Sequence, residues 1–294
     1  MFLREITWSS RGTILGSAIA RHCTPRATIA GMTRRPVVAL MLGLVVVSTL
    51  AASDDPLARA RQLYNQRLFD AAIEAAEQAR QTAALADGAD LIAARAYLER
   101  FRISAVADDL ANARDHLRRL NPERFPPRER TEYIVGLGEA LYLDNAYGAS
   151  ATVFDTILRS GDLLAGPARE HVLDWWATAL DRDTRPRPEI DRQGVYSKMR
   201  ARLEEELALH PGSGAAAYWL AAAARAQGDL QAAWDAALAG WVRAPLSPDR
   251  GAQLRGDLDR LVTSAIVPER AKALAQPPDN IRNDWERFKE RWSK

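Results

Sequence analysis

The chain has 294 residues, 47% of them hydrophobic and 27% charged, a globular composition that excludes wholesale disorder and a polytopic membrane protein. Residues 1–52 hold six of the 40 basic residues and one of the 38 acids, so the body from Ser53 onward carries 34 bases against 37 acids, a net of −3 beneath a formal total of +2. The basic balance therefore belongs to the leader, and no nucleic-acid partner is expected of the body. The single cysteine, Cys23, lies in that leader, which excludes disulfides, thiol catalysis and thiolate metal sites from the body.

Thr33-Arg34-Arg35 precedes an uncharged run of 15 residues, Pro36 to Leu50, closed by Ala51-Ala52-Ser53 and the acidic pair Asp54-Asp55. A basic stretch, an apolar run too short to span hydrocarbon comfortably and small residues at its end are the layout of a secretory signal peptide. Residues 32–52 are read as that peptide, with cleavage between Ala51 and Asp54. Met32 stands where its basic segment would begin, so residues 1–31 read as an upstream extension from a misplaced start codon. The alternative is an uncleaved anchor, which would be the body's one contact with a membrane.

From Leu57 onward alanine, leucine, arginine and glutamate dominate and apolar residues recur at i, i+3 and i+4, a helical period with no alternating strand. Helix pairs are predicted at 56–66 and 69–84, 89–101 and 105–120, 129–143 and 147–159, 167–181 and 190–209, and 214–227 and 230–243. Shorter helices follow near 249–265, 267–275 and 279–292. Asp87-Gly88, Asn121-Pro122, Ser160-Gly161, Arg185-Pro186, Pro211-Gly212, Pro245, Pro268 and Pro277-Pro278 supply the breaks. The expected fold is all-α, a solenoid of stacked helical hairpins over 53–294, closed by an amphipathic helix bearing Trp285, Phe288 and Trp292.

Residues 214–247 contain Tyr218-Trp219-Leu220-Ala221, Gly228-Asp229-Leu230, Ala232-Ala233-Trp234, Ala236-Ala237, Gly240 and Pro245. The pattern resembles the tetratricopeptide repeat of about 34 residues. Leu220 beside Ala221 places a large residue next to a small one, Gly228-Asp229 makes the turn, and Ala233 and Gly240 permit close approach. A second copy at 131–164 has Leu137-Gly138, Leu141, Tyr147, Ser150, Phe154 and Ile157, but Asn145-Ala146 stands at its turn. A third at 53–86 keeps Leu63, Phe69, Ala72-Ile73, Ala76 and Ala79 and lacks the large-small pair. Segments 87–130 and 165–213 are longer and are expected to be hairpins with enlarged loops, giving an irregular superhelix.

Catalytic chemistry finds no foothold. Glu170-His171 with Asp174 lacks the second histidine of a zinc helix, so no metal is expected. Asp181-Arg182-Asp183 reads as a capped, exposed turn, and Gly136-Leu137-Gly138 lies inside a predicted helix, where glycine serves packing better than a dinucleotide loop. No cofactor is implied. Adjacent helical side chains point about 100° apart, so Trp175 and Trp176 either wedge between different neighbours or leave one aromatic face on the surface.

The resemblance implies a ligand groove lined by the first helix of each hairpin, at positions occupied here by Glu132, Glu139 and Tyr142 in one unit and Tyr218 and Arg225 in the other. The expected function is that of an exported, periplasmic or secreted, non-enzymatic scaffold holding a protein or peptide segment in that groove. The alternative is a helical module that binds carbohydrate or cell wall through Trp175 and Trp176.

Overall fold

The computed structural model describes residues 55–161, 164 and 166–293; the leader, its cleavage site and residues 1–31 lie outside the described residues. The described chain is α-helical with no strand: α1 Pro56–Asn65, α2 Phe69–Arg80, α3 Ala86–Ser104, α4 Ala107–Arg119, α5 Pro127–Leu143, α6 Tyr147–Arg159, α7 Pro167–Thr184, α8 Glu189–Leu209, α9 Gly214–Ala226, α10 Leu230–Arg243, α11 Ala252–Leu261, α12 Val267–Leu274 and α13 Pro278–Trp292. None of these helices is long and apolar enough to cross a membrane.

Helix starts follow from local chemistry. Pro56 occupies the first turn of α1 behind an Asp55 cap that accepts the Leu57 N–H, while Ser213 and Asp229 cap α9 and α10 by accepting the N–H groups of Ala216 and Ala232. The turn from α1 to α2 carries Arg67 at φ 64°, that from α5 to α6 carries Asn145 at φ 61°, and that from α9 to α10 carries Gly228 at φ 80°. Around each, two backbone bonds close the same left-handed helix end: Leu68 N–H to Leu63 O with Arg67 N–H to Tyr64 O, Ala146 to Leu141 with Asn145 to Tyr142, and Asp229 to Ala224 with Gly228 to Arg225. Leu63, Leu141 and Ala224 are each the eleventh residue of the three segments that begin at 53, 131 and 214. The three copies thus share one turn at one offset, although glycine marks it in only one of them.

Packing runs in sequence order. Each of α1–α2, α3–α4, α5–α6 and α9–α10 forms a hairpin, and α1 packs on α3, α3 on α5, α7 on α9 and α9 on α11, so the odd-numbered helices build two runs joined where α6 packs on both α5 and α7. The core is correspondingly divided along the stack: Leu57, Ala76 and Ile92 at the start; Leu91, Leu98, Leu117 and Phe125 next; then one large cluster running from Phe154 through Leu173, Met199 and Leu258 to Trp285. Each unit buries its apolar face on its neighbours, the energetics of a quasi-one-dimensional array.

Several expected boundaries move. Asp87-Gly88 falls inside the first turn of α3 and does not break it, because Gly88 lets the helix approach Leu57 closely; a Cβ there would stand 2.9 Å from the Leu57 Cδ2. The extra length of 87–130 and 165–213 goes largely into helix, with α3 at 19 and α8 at 21 residues. Pro268 does not separate two helices either. A wide turn over Val262–Ile266, in which the Val267 N–H reaches back five residues to Val262 O, carries the axis from α11 into α12 and makes room for the proline ring.

Candidate functional site

On α3, Leu91 and Leu98 pack toward α4 and α5 while Ile92 and Ala93 pack toward α1 and α2. Arg95, Glu99 and Arg102, spaced by four and then three residues, fall on the strip between those two faces, flanked by α1 on one side and α5 on the other. The Arg95 guanidinium lies 2.8 Å from Glu132 of α5 and 4.5 Å above the ring of Tyr64 of α1. Arg102 bonds Glu99 at 3.0 Å, reaches Glu139 of α5 at 3.5 Å and covers Trp175 of α7 at 5.6 Å. Arg61 of α1 pairs with Glu129, and Arg128 adds a second cation to Glu132 at 3.4 Å.

The row continues toward the C-terminus with aromatic and acidic ties. Arg182 of α7 lies 5.1 Å over Tyr142 and donates to the Tyr147 Oη at 2.9 Å, with the two tyrosine rings edge to face at 5.4 Å. Asp174 accepts the Trp219 indole N–H at 2.8 Å, and Glu170 accepts the Ala215 N–H at 3.0 Å, so α7 braces α9 at its N-terminus and one turn on. Tyr218 stands edge-on to Trp219 at 5.5 Å, and Arg225 makes a two-bond pair with Glu269 of α12, its Nε at 3.0 Å.

Burial shapes the titration of this row. Glu139 is only 8% exposed, and burial, reinforced by the neighbouring Glu99 charge and opposed by Arg102, pushes its carboxyl up to about 8. Burial likewise pushes the Tyr64 phenol up to about 12 against the pull of Arg95, and raises Tyr142 against that of Arg182. Burial thus works against a second carboxylate charge beside the Arg102–Glu99 pair.

Glu132 and Glu139 are brought together with Arg95 and Arg102 in one network, and Tyr142 lies beside it on the same helix. Tyr218 and Arg225 stand further along the odd-numbered helices, on α9, with Arg225 committed to Glu269. Trp175 and Trp176 are 7% and 5% exposed, so of the two alternatives both wedge between neighbouring helices and neither leaves an aromatic face on the surface. The reason is that α7 has α6 on one flank and α8 and α9 on others, so two side chains 100° apart both find cover. Asp181-Arg182-Asp183 is not an exposed turn: it lies within α7, where buried Asp181 accepts the Tyr196 Oη at 2.8 Å and binds Arg185 at 2.6 Å. Gly138 sits in α5 where a Cβ would meet the Phe154 ring at 2.5 Å, a packing role. Among the described residues no group of three or more His, Cys, Asp and Glu is placed to hold a metal ion. No protein family matches the chain, and no curated protein matches it.

Proposed function

We propose that the body is an exported tetratricopeptide-like scaffold, without catalytic activity, that holds an extended segment of another protein along α1, α3, α5, α7 and α9. The observation that carries this reading is the row of charged and aromatic side chains linking successive odd-numbered helices from Tyr64 to Arg225. Its charges are paired side to side, which fixes their positions before a ligand arrives and limits the ordering cost of binding. The same pairing leaves no strong field of either sign, so the row favours register and shape over electrostatic attraction. The shared turn in the units beginning at 53, 131 and 214 supports the tetratricopeptide comparison, and the leader supports export. The carbohydrate alternative loses its footing with the burial of Trp175 and Trp176.

A photo-crosslinking residue placed at Tyr142 or Tyr218 tests the reading in the producing cell. Adducts with one protein from these two positions, and none from Ile190, which is 82% exposed outside the row, support it. Equal labelling from all three positions, or none from any, overturns it.

A further inference from the structure

The last helices contain two buried donors that face no acceptor among the described residues, the indole Nε1 of Trp241 and the Nε of Arg255. They belong to one stack, since the Arg255 guanidinium carbon lies 5.1 Å from the Trp241 ring centre. Two buried indoles of this fold have a carboxylate of their own: Trp219 has Asp174 at 2.8 Å and Trp285 has Asp259 at 2.9 Å. Trp241, 7% exposed, has none. Nor does Arg255 pair with a carboxylate among the described residues; its hydrogen bond there is a long one, 3.4 Å from Nη2 to the backbone oxygen of Trp292. The nearby Lys289, 5.7 Å over the same Trp241 ring, is by contrast neutralised by Asp259 at 2.6 Å and Glu286 at 2.8 Å.

We propose that Trp241 and Arg255 are the paired donors of an oxyanion site in the terminal helices, which takes a carboxylate or phosphate group from outside the chain. Neither donor can accept a proton bond, so the group that completes them is an acceptor. Water would satisfy the N–H groups and leave the guanidinium charge uncompensated in a part-buried position, whereas an oxyanion supplies both an acceptor and the opposite charge. Trp292, whose backbone oxygen Arg255 touches, is 49% exposed, so the stack reaches the surface beside Arg255. None of these residues belongs to the row on the odd-numbered helices, so the site stands whether or not that row binds a peptide.

Nitrogen-15 labelling of the tryptophan indoles in the whole body tests this directly. Titration with sodium acetate and with sodium phosphate, against sodium chloride at matched ionic strength, should shift the Trp241 indole resonance saturably for an oxyanion only, while Trp219 and Trp285, already bonded to aspartates, stay in place. Arg255→Gln should weaken that binding by about tenfold or more, the loss expected of a hydrogen bond to a charged partner. Arg255→Lys, which keeps the charge without the fork, should weaken it less. A peptide with a free C-terminal carboxylate that binds more tightly than its amidated form assigns the group to a chain end, and tighter binding of phosphate than acetate assigns it to a phosphoryl group. A Trp241 indole that no oxyanion shifts saturably, or that chloride shifts equally, overturns the proposal without recourse to any variant.

Discussion

Arg169 of α7 holds Glu206 of α8 through two bonds of 2.7 Å, with the Glu206 side chain fully buried and that of Arg169 11% exposed. Arg169 also donates to Leu158 O at 3.3 Å, so a single guanidinium joins α6, α7 and α8. Removing Glu206 strips the part-buried Arg169 guanidinium of its two-bond counterion, whereas removing Arg169 leaves Glu206 to the longer contacts of Arg202 at 3.4 Å and His210 at 3.6 Å. Glu206→Ala should cost about 3–5 kcal/mol in denaturant unfolding, whereas replacing both by leucine should cost far less.

The same pair sets a pH dependence. Burial alone would raise the Glu206 carboxyl, but the bonds and charge of Arg169 overcome it and hold the group below the ordinary 4.5. A carboxyl lowered by folding contributes stability above its unfolded value and loses it as pH falls through the folded one. The thermal midpoint should therefore drop steeply below about pH 4.5 in the wild type, and less steeply in the double leucine variant.

Glu139 acts with the opposite sign. Its carboxyl is raised from 4.5 to about 8, so the folded state holds the proton that the unfolded state releases, and stability declines as pH rises between those values. Glu139→Gln resembles the protonated form and should remove this decline, leaving the variant more stable than the wild type at pH 9 and close to it at pH 5. Melting curves across that range check the expectation; a variant that tracks the wild type at every pH would show that Glu139 is ionised throughout.

The shared hairpin turn predicts reciprocal effects of glycine. A left-handed backbone costs a residue with a Cβ about 1–2 kcal/mol, and glycine returns part of that through its greater freedom when unfolded. Arg67→Gly should accordingly stabilise by up to about 1 kcal/mol, and Gly228→Ala should destabilise by a similar amount. Opposite signs in urea unfolding are the signature, because both positions close the helix end with the same pair of backbone bonds.

Local signals made the helices and most of their ends legible, since capping residues, proline and the apolar period all act within a turn or two of chain. Pro268 misled because a wide turn can absorb a proline within a continuing helix, and nothing in Val262–Ile266 announces one. The repeat pattern singled out Glu132 and Glu139 but left out their partners Arg95, Glu99 and Arg102, whose helix belongs to a segment outside that pattern. Their spacing alone puts them on one face; only the arrival of α1 and α5 on either side decides that this face forms the network. Trp175 and Trp176 show the converse, since their cover comes from three helices that the local sequence does not name. Glu170 and Asp174 were legible as a helical pair, but their partners, Ala215 and Trp219, lie 45 residues away.

The α5–α6 contact is the tightest test of how these units fit. A Cβ built on Gly138 would stand 2.5, 2.8 and 2.9 Å from the Phe154 Cε1, Cδ1 and Cζ atoms. The ring cannot swing aside freely, because Phe154 is fully buried and lies 5.6 Å from the Trp175 ring. Nor can the helices part without loss, since Ser150 donates to Gly138 O at 2.8 Å across the same crossing. Gly138→Ala, although it improves helix propensity by about 1 kcal/mol, should therefore destabilise by about 1–3 kcal/mol through overpacking. Phe154→Leu opens a cavity and is destabilising by itself, but it removes the ring atoms that the new methyl group meets. The two substitutions should couple favourably, the double variant losing less than the sum of the singles by about 1 kcal/mol or more. Strict additivity would mean that the helices slide to accommodate the methyl group, and the close approach at Gly138 would then contribute nothing to the spacing of α5 and α6.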